Sequence, residues 1–262
     1  MAPTEPSREL EGLYVYCIAL SGEADTLGAV GIESSEVFAV AWKGLCAAVH
    51  RCPAEPYQSQ GADVAASWVM DHHRVVDAAW RRWGAVLPLT FNTIIRGEPG
   101  GDARASLLAW LEAEHGALKA KLEALAGKAE YGVQVFWEPQ VMARQVAQSD
   151  AEIRRLEEEI EAKSPGVAYM YRQKLESLLK EKMEAMATAE CTALYGRIAQ
   201  LVDELRVEKP KGDSGQLRML VNLSCLVSQA QLQGLEADLE RIRTTEGFSA
   251  RLVGPLPPYS FC

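Results

Sequence analysis

Residues Ser149 to Leu205 constrain this chain more than any other stretch. The segment opens SDAEIRRLEEEIEAKSPGVAYMYRQKLESLLKEKMEAM and continues rich in alanine. Ile153, Leu156 and Ile160 recur at three-then-four spacing, which places them on one helix face. Glu157, Glu158, Glu159 and Glu161 fill the other faces. Beyond Ser164-Pro165-Gly166, the residues Ala168, Tyr171, Leu175 and Leu178 resume a stripe that the spacing carries on through Ala185, Ala189 and Leu194. Arg172, Lys174, Glu176, Lys180, Glu181, Lys182 and Glu184 coat the outside. A narrow apolar stripe in so much charge suits helix-on-helix packing of coiled-coil type. The spacing predicts two long helices and hence a helical arm or hairpin, inserted at about 149–206 between segments of mixed strand and helix.

The other segments must supply the globular part. At 262 residues the chain has room for one large domain or two ordinary ones. Its 27 Lys+Arg against 36 Asp+Glu leave a net charge of −9, which argues against a general nucleic-acid surface. No apolar run approaches the ~20 residues of a membrane span. The acidic, polar start MAPTEPSRELEG lacks the basic and apolar regions of a signal peptide, so a cytoplasmic protein is expected. The six cysteines form no CxxC pair and no zinc spacing, and are expected as free thiols. Cys17, Cys46 and Cys225 lie in apolar runs and read as small core residues.

In chain order, Leu13 to Leu20 is apolar, aromatic and β-branched, as in a buried central strand. A short helical or loop segment follows around Asp25 to Gly31. Val37 to Trp42 and Leu45 to Val49 flank Lys43-Gly44, a hairpin signal. Asp63 is expected to cap a helix that reaches about Trp83, with Val64, Trp68, Val75, Ala79 and Trp83 on its apolar face and Gly84 ending it. Val86 to Phe91 reads as an edge or irregular strand because of Pro88. This βαββαβ order predicts a ferredoxin-like N-terminal domain over 1–98, with helices on one face of an antiparallel sheet.

Glu98-Pro99-Gly100-Gly101 is the boundary signal, and 99–262 reads as a second α+β domain. One helix is expected from Asp102 to about Ala126 on a leucine stripe. Tyr131 to Trp137 alternates as a strand, and Pro139 starts a helix at the first-turn position it favours. After the arm, Val207 to Gly215 reads as a polar turn and Leu217 to Val227 as a long strand. Gln229 to Arg243 reads as an amphipathic helix and Phe248 to Val253 as a last strand. The tail Gly254 to Cys262 is expected to pack back on the second sheet or to engage a partner. The fold class is therefore α+β, with a ferredoxin-like first domain and a second α/β domain carrying a long coiled-coil-like arm.

No catalytic, cofactor-binding or metal-binding residues are assigned, and no cofactor is expected. His72 and His73 are adjacent on a helix and point about 100° apart, so that spacing does not chelate. His50 and His115 stand alone. No GxSxG elbow occurs. The glycines of Gly97 to Gly101 match neither GxxxxGK[ST] nor GxGxxG and read as a loop. The Glu157–Glu161 run reads as a solvated helix face, and Arg81-Arg82 is too small for a nucleic-acid footprint. The residues alone leave two readings open. One is a ferredoxin-like small-molecule-binding or enzymatic protein, marked by a deep pocket near His72, His73 and Arg96. The other is an architectural coiled-coil scaffold.

Four strings narrow this. GLYVYCIA at Gly12–Ala19, LPLTFNTII at Leu87–Ile95, SPGVAYMYRQKLE in the arm and the ending GPLPPYSF together resemble the gas vesicle protein family GvpL/GvpF, in order and spacing along essentially the whole chain. The chain departs at Thr90, Asn92 and Leu256, where the family pattern has a basic residue, Gly and Trp. The resemblance implies a non-enzymatic accessory or minor structural protein of gas vesicle assembly, and it too implies the ferredoxin-like domain and the coiled-coil motif. It implies as partners the small hydrophobic shell protein GvpA and other accessory gas vesicle proteins. In physical terms, a partner that shields a shell subunit needs an apolar groove or a free sheet edge rather than an active site.

Overall fold

A computed structural model describes residues 11–21, 25–97, 102–210 and 217–262. The boundary signal Glu98-Pro99-Gly100-Gly101, the strand-breaking Gly22 and the second half of the polar turn, from Lys211, lie outside the described residues. Contacts divide the chain into two units, Met1–Glu130 with Pro255–Cys262, and Tyr131–Gly254.

Unit 1 is built around β1 (Glu11–Leu20), buried from Gly12 to Ala19. A strand buried at every position needs cover on both faces, and this one has it. The chain continues through β2 (Thr26–Gly28), a 3-10 turn at Ile32–Ser34, β3 (Val37–Trp42), β4 (Leu45–Pro53), α1 (Ala62–Trp83), β5 (Val86–Pro88) and β6 (Ile94–Arg96). The sheet order is β2-β3-β4-β1-β5, with β6 also paired to β1. The free side of β1 is shared, Cys17–Ala19 with β5 and Gly12–Tyr14 with β6. The turn Lys43-Gly44 has φ of 46° and 84°, the double positive φ of a type I′ hairpin.

Tyr14, Tyr16, Cys17 and Ala19 pack with Val75, Val76 and Ala79 of α1. Leu13, Val15 and Ile18 point the other way, where α2 (Ala103–Ala113) and α3 (His115–Leu125) lie against β1. Helices therefore cover both faces, whereas the expected sandwich has them on one. The cause is the stripe Leu107, Leu111, Leu122 and Leu125, which is buried on this sheet. The expected single helix is two, broken at Glu114 (φ −95°, ψ 3°) just before the weak helix former Gly116. The segment around Asp25 to Gly31 holds the short β2 rather than a helix. Helix α1 has Gly61, not Asp63, at its N-cap, and Val64 lies outside its buried face at 44% exposure.

Unit 2 takes β7 (Lys128–Trp137) from Tyr131 on, α4 (Pro139–Ser149), α5 (Ala151–Glu161), α6 (Pro165–Ala199), β8 (Glu204–Val207), β9 (Arg218–Ser228), α7 (Gln229–Arg243) and β10 (Phe248–Leu256) as far as Gly254. Its sheet order is β10-β7-β9-β8. The arm is inserted between β7 and the β8-β9 pair, and it folds back on itself. Lys182 reaches Asp150 at 3.0 Å and Glu152 at 3.6 Å, so α5 runs antiparallel along α6. Ile153, Leu156 and Ala168 are buried in this seam. Between Leu178 and Leu194, which is buried as expected, the stripe departs from the expected one. Met183, Met186 and Ala187 pack against Trp137 and Met142, while Ala185 and Ala189 are exposed. A straight helix drifts about 20° per heptad, so a stripe extended in sevens walks off the buried face.

Residues 254–256 of the tail end β10 in the second sheet, but from Pro257 on the tail leaves it. Pro257, Pro258 and Phe261 are buried in unit 1, and Tyr259 packs on its core. Cys17, Cys46 and Cys225 are fully buried, as expected. Burial pushes the Cys46 thiol up to about 11, so it stays a thiol. Among the described residues, no helix is long and apolar enough to cross a membrane.

Candidate functional site

Strand alternation puts Tyr14 and Tyr16 on the same face of β1, and α1 brings His72 over them. Tyr16 is the extra residue of a bulge, since β1 shifts register against β4 between Val15 and Cys17. The Tyr16 hydroxyl accepts from the Ile32 N–H at 2.9 Å and lies 2.8 Å from His50 Nδ1. The Tyr14 hydroxyl accepts from the Asn92 N–H at 3.1 Å and lies 2.9 Å from His72 Nδ1. Each hydroxyl therefore spends its own proton on its imidazole, and each Nδ1 is an acceptor. His50 Nε2–H then donates to the Tyr57 hydroxyl at 2.9 Å. His72 Nε2–H is left for the Leu89 carbonyl, its backbone partner.

Burial holds both imidazoles neutral. Desolvation lowers His50 to about 4, and desolvation together with the neighbouring His73 lowers His72 to about 4. Burial likewise pushes Tyr57 up to about 12 and raises Tyr14 and Tyr16 further. A neutral imidazole with both nitrogens bonded offers no lone pair to a metal and no proton to a substrate. The cluster is a brace. Tyr14 stacks on His50 with ring centroids 5.1 Å apart and 19° between planes. Asn92, at φ 69°, bonds the Tyr57 backbone N–H at 2.9 Å and its carbonyl at 3.0 Å. The family pattern's glycine would supply that φ, and asparagine is the side chain that tolerates it best.

His73, one position on, faces outward. It borders a cleft of about 480 Å³ whose walls are all in unit 1. Helix α1 gives Val69, His72 and His73, β5 and the turn after it give Leu87 to Phe91, α3 gives Leu118 and Lys121, and the tail gives Tyr259 and Cys262. The Tyr259 hydroxyl sits 2.7 Å from His73 Nδ1. The tail that carries it is pinned by the buried Glu130, whose carboxylate accepts from the Ser260 N–H at 2.7 Å and hydroxyl at 2.6 Å. The structure thus brings His72 and His73 to one cleft but leaves Arg96 out of it, on β6 opposite Gly12. The sequence reading missed Tyr14, Tyr16, Tyr57, Glu130 and Lys121. Two tyrosines at alternate positions of an otherwise aliphatic strand were the available signal.

In unit 2, Tyr169 and Met170 stand 60% and 69% exposed at the start of α6, beside the arm's turn. Arg197 bonds the buried Asp238 at 2.9 Å. Among the described residues no group of His, Cys, Asp and Glu is placed to hold a metal.

Comparison with known proteins agrees with the resemblance in the sequence. The family described as gas vesicle synthesis protein GvpL/GvpF matches residues 12–262. Gas vesicle protein L1 of Halobacterium salinarum is 27% identical over 95% of this chain and 90% of its own. Gas vesicle protein L of Haloferax mediterranei is 28% identical over 88% of this chain and 72% of its own. Among solved structures, the GvpF of an Anabaena species superposes with a TM-score of 0.73 at 18% identity, over 96% of this chain and 98% of that one. The GvpF of Microcystis aeruginosa gives 0.63 at 16% identity, over 95% and 98%. These two show a shared fold.

Proposed function

The chain belongs to the gas vesicle synthesis protein GvpL/GvpF family, and we propose that it acts in gas vesicle assembly as a non-enzymatic accessory protein. The family match over residues 12–262 carries this reading. Its partners are the hydrophobic shell protein GvpA and other accessory gas vesicle proteins, met in the cytoplasm at the growing vesicle. A shell subunit exposes apolar surface until it polymerises, and a protein that shields it needs apolar surface of its own. Such surface is present on α1, at Val64, Val69 and Met70, and at the arm's turn, at Val167, Tyr169 and Met170. We assign the shell protein to unit 1 and other accessory proteins to the arm. We also read residues 1–98 as a ferredoxin-like core, on its strand order β3-β4-β1-β5, with the remaining chain built onto it.

The test is a pull-down of GvpA and the other accessory proteins with tagged full-length protein. Removing the whole arm would uncover Trp137 and β9, so the arm is tested by Y169E/M170E instead. The wild type should retain GvpA, and the variant should keep GvpA while losing an accessory partner. A folded, monodisperse sample that captures none of them refutes the reading.

A further inference from the structure

We propose that the cleft between α1, the turn after β5, α3 and the tail binds a free apolar carboxylic acid, with an aliphatic or aromatic body and one carboxylate. At about 480 Å³ it falls in the ~300–1,000 Å³ range of small-ligand sites. Val69, Leu87, Phe91 and Leu118 make most of its lining apolar. Several of its polar groups are already bonded. His72 is held by Tyr14 and the Leu89 carbonyl, and the Thr90 hydroxyl lies 3.2 Å from that of Thr93.

Two nitrogens remain. The Tyr259 hydroxyl is kept protonated by burial, and among the described residues His73 Nδ1 is its hydrogen-bond partner. With Nδ1 taken by that hydroxyl, Nε2 is the His73 ring nitrogen left for a ligand among the described residues. Lys121 likewise has no carboxylate partner among the described residues. The carboxylates near His73 on α1 are already paired, Asp71 with Arg74 at 2.8 Å and Asp77 with Arg81 at 3.0 Å. One ammonium and one imidazole nitrogen on an apolar cleft match a monoanion. A phosphate dianion would ask for more cations, and an amine would meet the Lys121 ammonium. The cleft shares Val69 with the apolar surface of α1, but Lys121 lies on α3 and is not part of that surface, so ligand binding and shell-protein binding are tested separately.

The probe is octanoate, titrated into the full-length protein by calorimetry and by methyl NMR, beside octanamide and octylamine. The expected result is saturable one-to-one binding of octanoate at least tenfold tighter than octanamide, with octylamine weakest and the shifts centred on Leu118 and Val69. Lys121 is exposed. K121M should therefore melt like the wild type, lose about tenfold in octanoate affinity and hold octanamide within twofold. Equal affinity for acid and amide, shifts centred elsewhere, or octanoate binding untouched by K121M would each overturn the assignment. So would a cleft that ignores octanoate and is occupied only by an acidic segment of a partner protein. GvpA capture by K121M is a separate readout, so failure here and failure of the assembly reading are told apart.

Discussion

Acidification from pH 7 to 5 should cost unit 1 much of its stability, through His50 and His72. Both rings are buried, at 0% and 3% exposure, and each is lowered from 6.5 to about 4. The unfolded chain takes up these protons near pH 6.5 and the folded chain only near pH 4. Between those values the unfolded state binds more protons, so stability is fully present above the window and is lost as pH falls through it. At about 1.4 kcal/mol per pK unit, each histidine costs about 3 kcal/mol once the window is crossed and about 2 kcal/mol at pH 5. Together they remove about 4 kcal/mol at pH 5, against a typical domain stability of about 5–15 kcal/mol. Carboxylates do not confuse the window. Lys43 holds Glu112 low and Lys182 holds Asp150 low, so their contributions persist until the pH falls below ordinary carboxylate values. Urea unfolding followed by tryptophan fluorescence reads unit 1, which holds five of the six tryptophans, Trp137 being the sixth. With an m-value of about 1–3 kcal/mol/M, the midpoint should drop by roughly 2 M between pH 7 and 5. H50N/H72N should be less stable at pH 7 but nearly flat across the window. A wild-type midpoint that stays put, or a double variant that keeps the full drop, refutes the argument.

Three further outcomes are expected. E130Q keeps the shape of the Glu130 side chain but replaces two charge-assisted bonds to Ser260 with neutral ones. Losing about 1 kcal/mol should speed amide exchange in residues 259–262 roughly fivefold, and unchanged exchange would mean that something else holds the tail. R197A strands the carboxylate of Asp238, which is 4% exposed. With Arg197 itself half exposed, the expected cost to unit 2 is about 1–3 kcal/mol in a thermal melt, mostly recovered in R197A/D238N. In G31A the new Cβ meets the Tyr16 hydroxyl at 2.7 Å and the Ser35 carbonyl at 2.8 Å. Backbone cannot yield cheaply there, so about 1–3 kcal/mol should be lost on denaturant titration, and a neutral G31A would show that the 3-10 turn gives way.

The parts of the fold legible from the sequence are those whose signal is local. The arm announces itself because Ile153, Leu156 and Ile160 repeat at helical spacing and Pro165-Gly166 marks the reversal. The β3-β4 hairpin follows from Lys43-Gly44, and β1 from an unbroken apolar run. Strands β6 and β8 are three and four residues long, too short to carry a period. The leucines of α2 and α3 reveal a buried face but not which sheet buries it, because that depends on contacts far along the chain. The same limit hid where the tail goes beyond Leu256. Nothing in Tyr259, Ser260 or Phe261 announces that a carboxylate at Glu130, 130 residues earlier, receives Ser260.

At the site, the dipeptide His72-His73 was visible but its division of labour was not. Adjacent helix positions point about 100° apart, so one ring enters the core and its neighbour borders the cleft. The core ring's partners come from β1 and from the turn that floors the cleft, whose Leu89 carbonyl takes the His72 Nε2–H and whose Asn92 grips Tyr57. Brace and cleft floor are thus one body. H72N loses the bond to Leu89 and should weaken octanoate and unit-1 stability together, whereas K121M should weaken octanoate alone. If H72N destabilises unit 1 yet binds octanoate like the wild type, the floor keeps its shape without the brace, and the coupling argued from Leu89 is wrong.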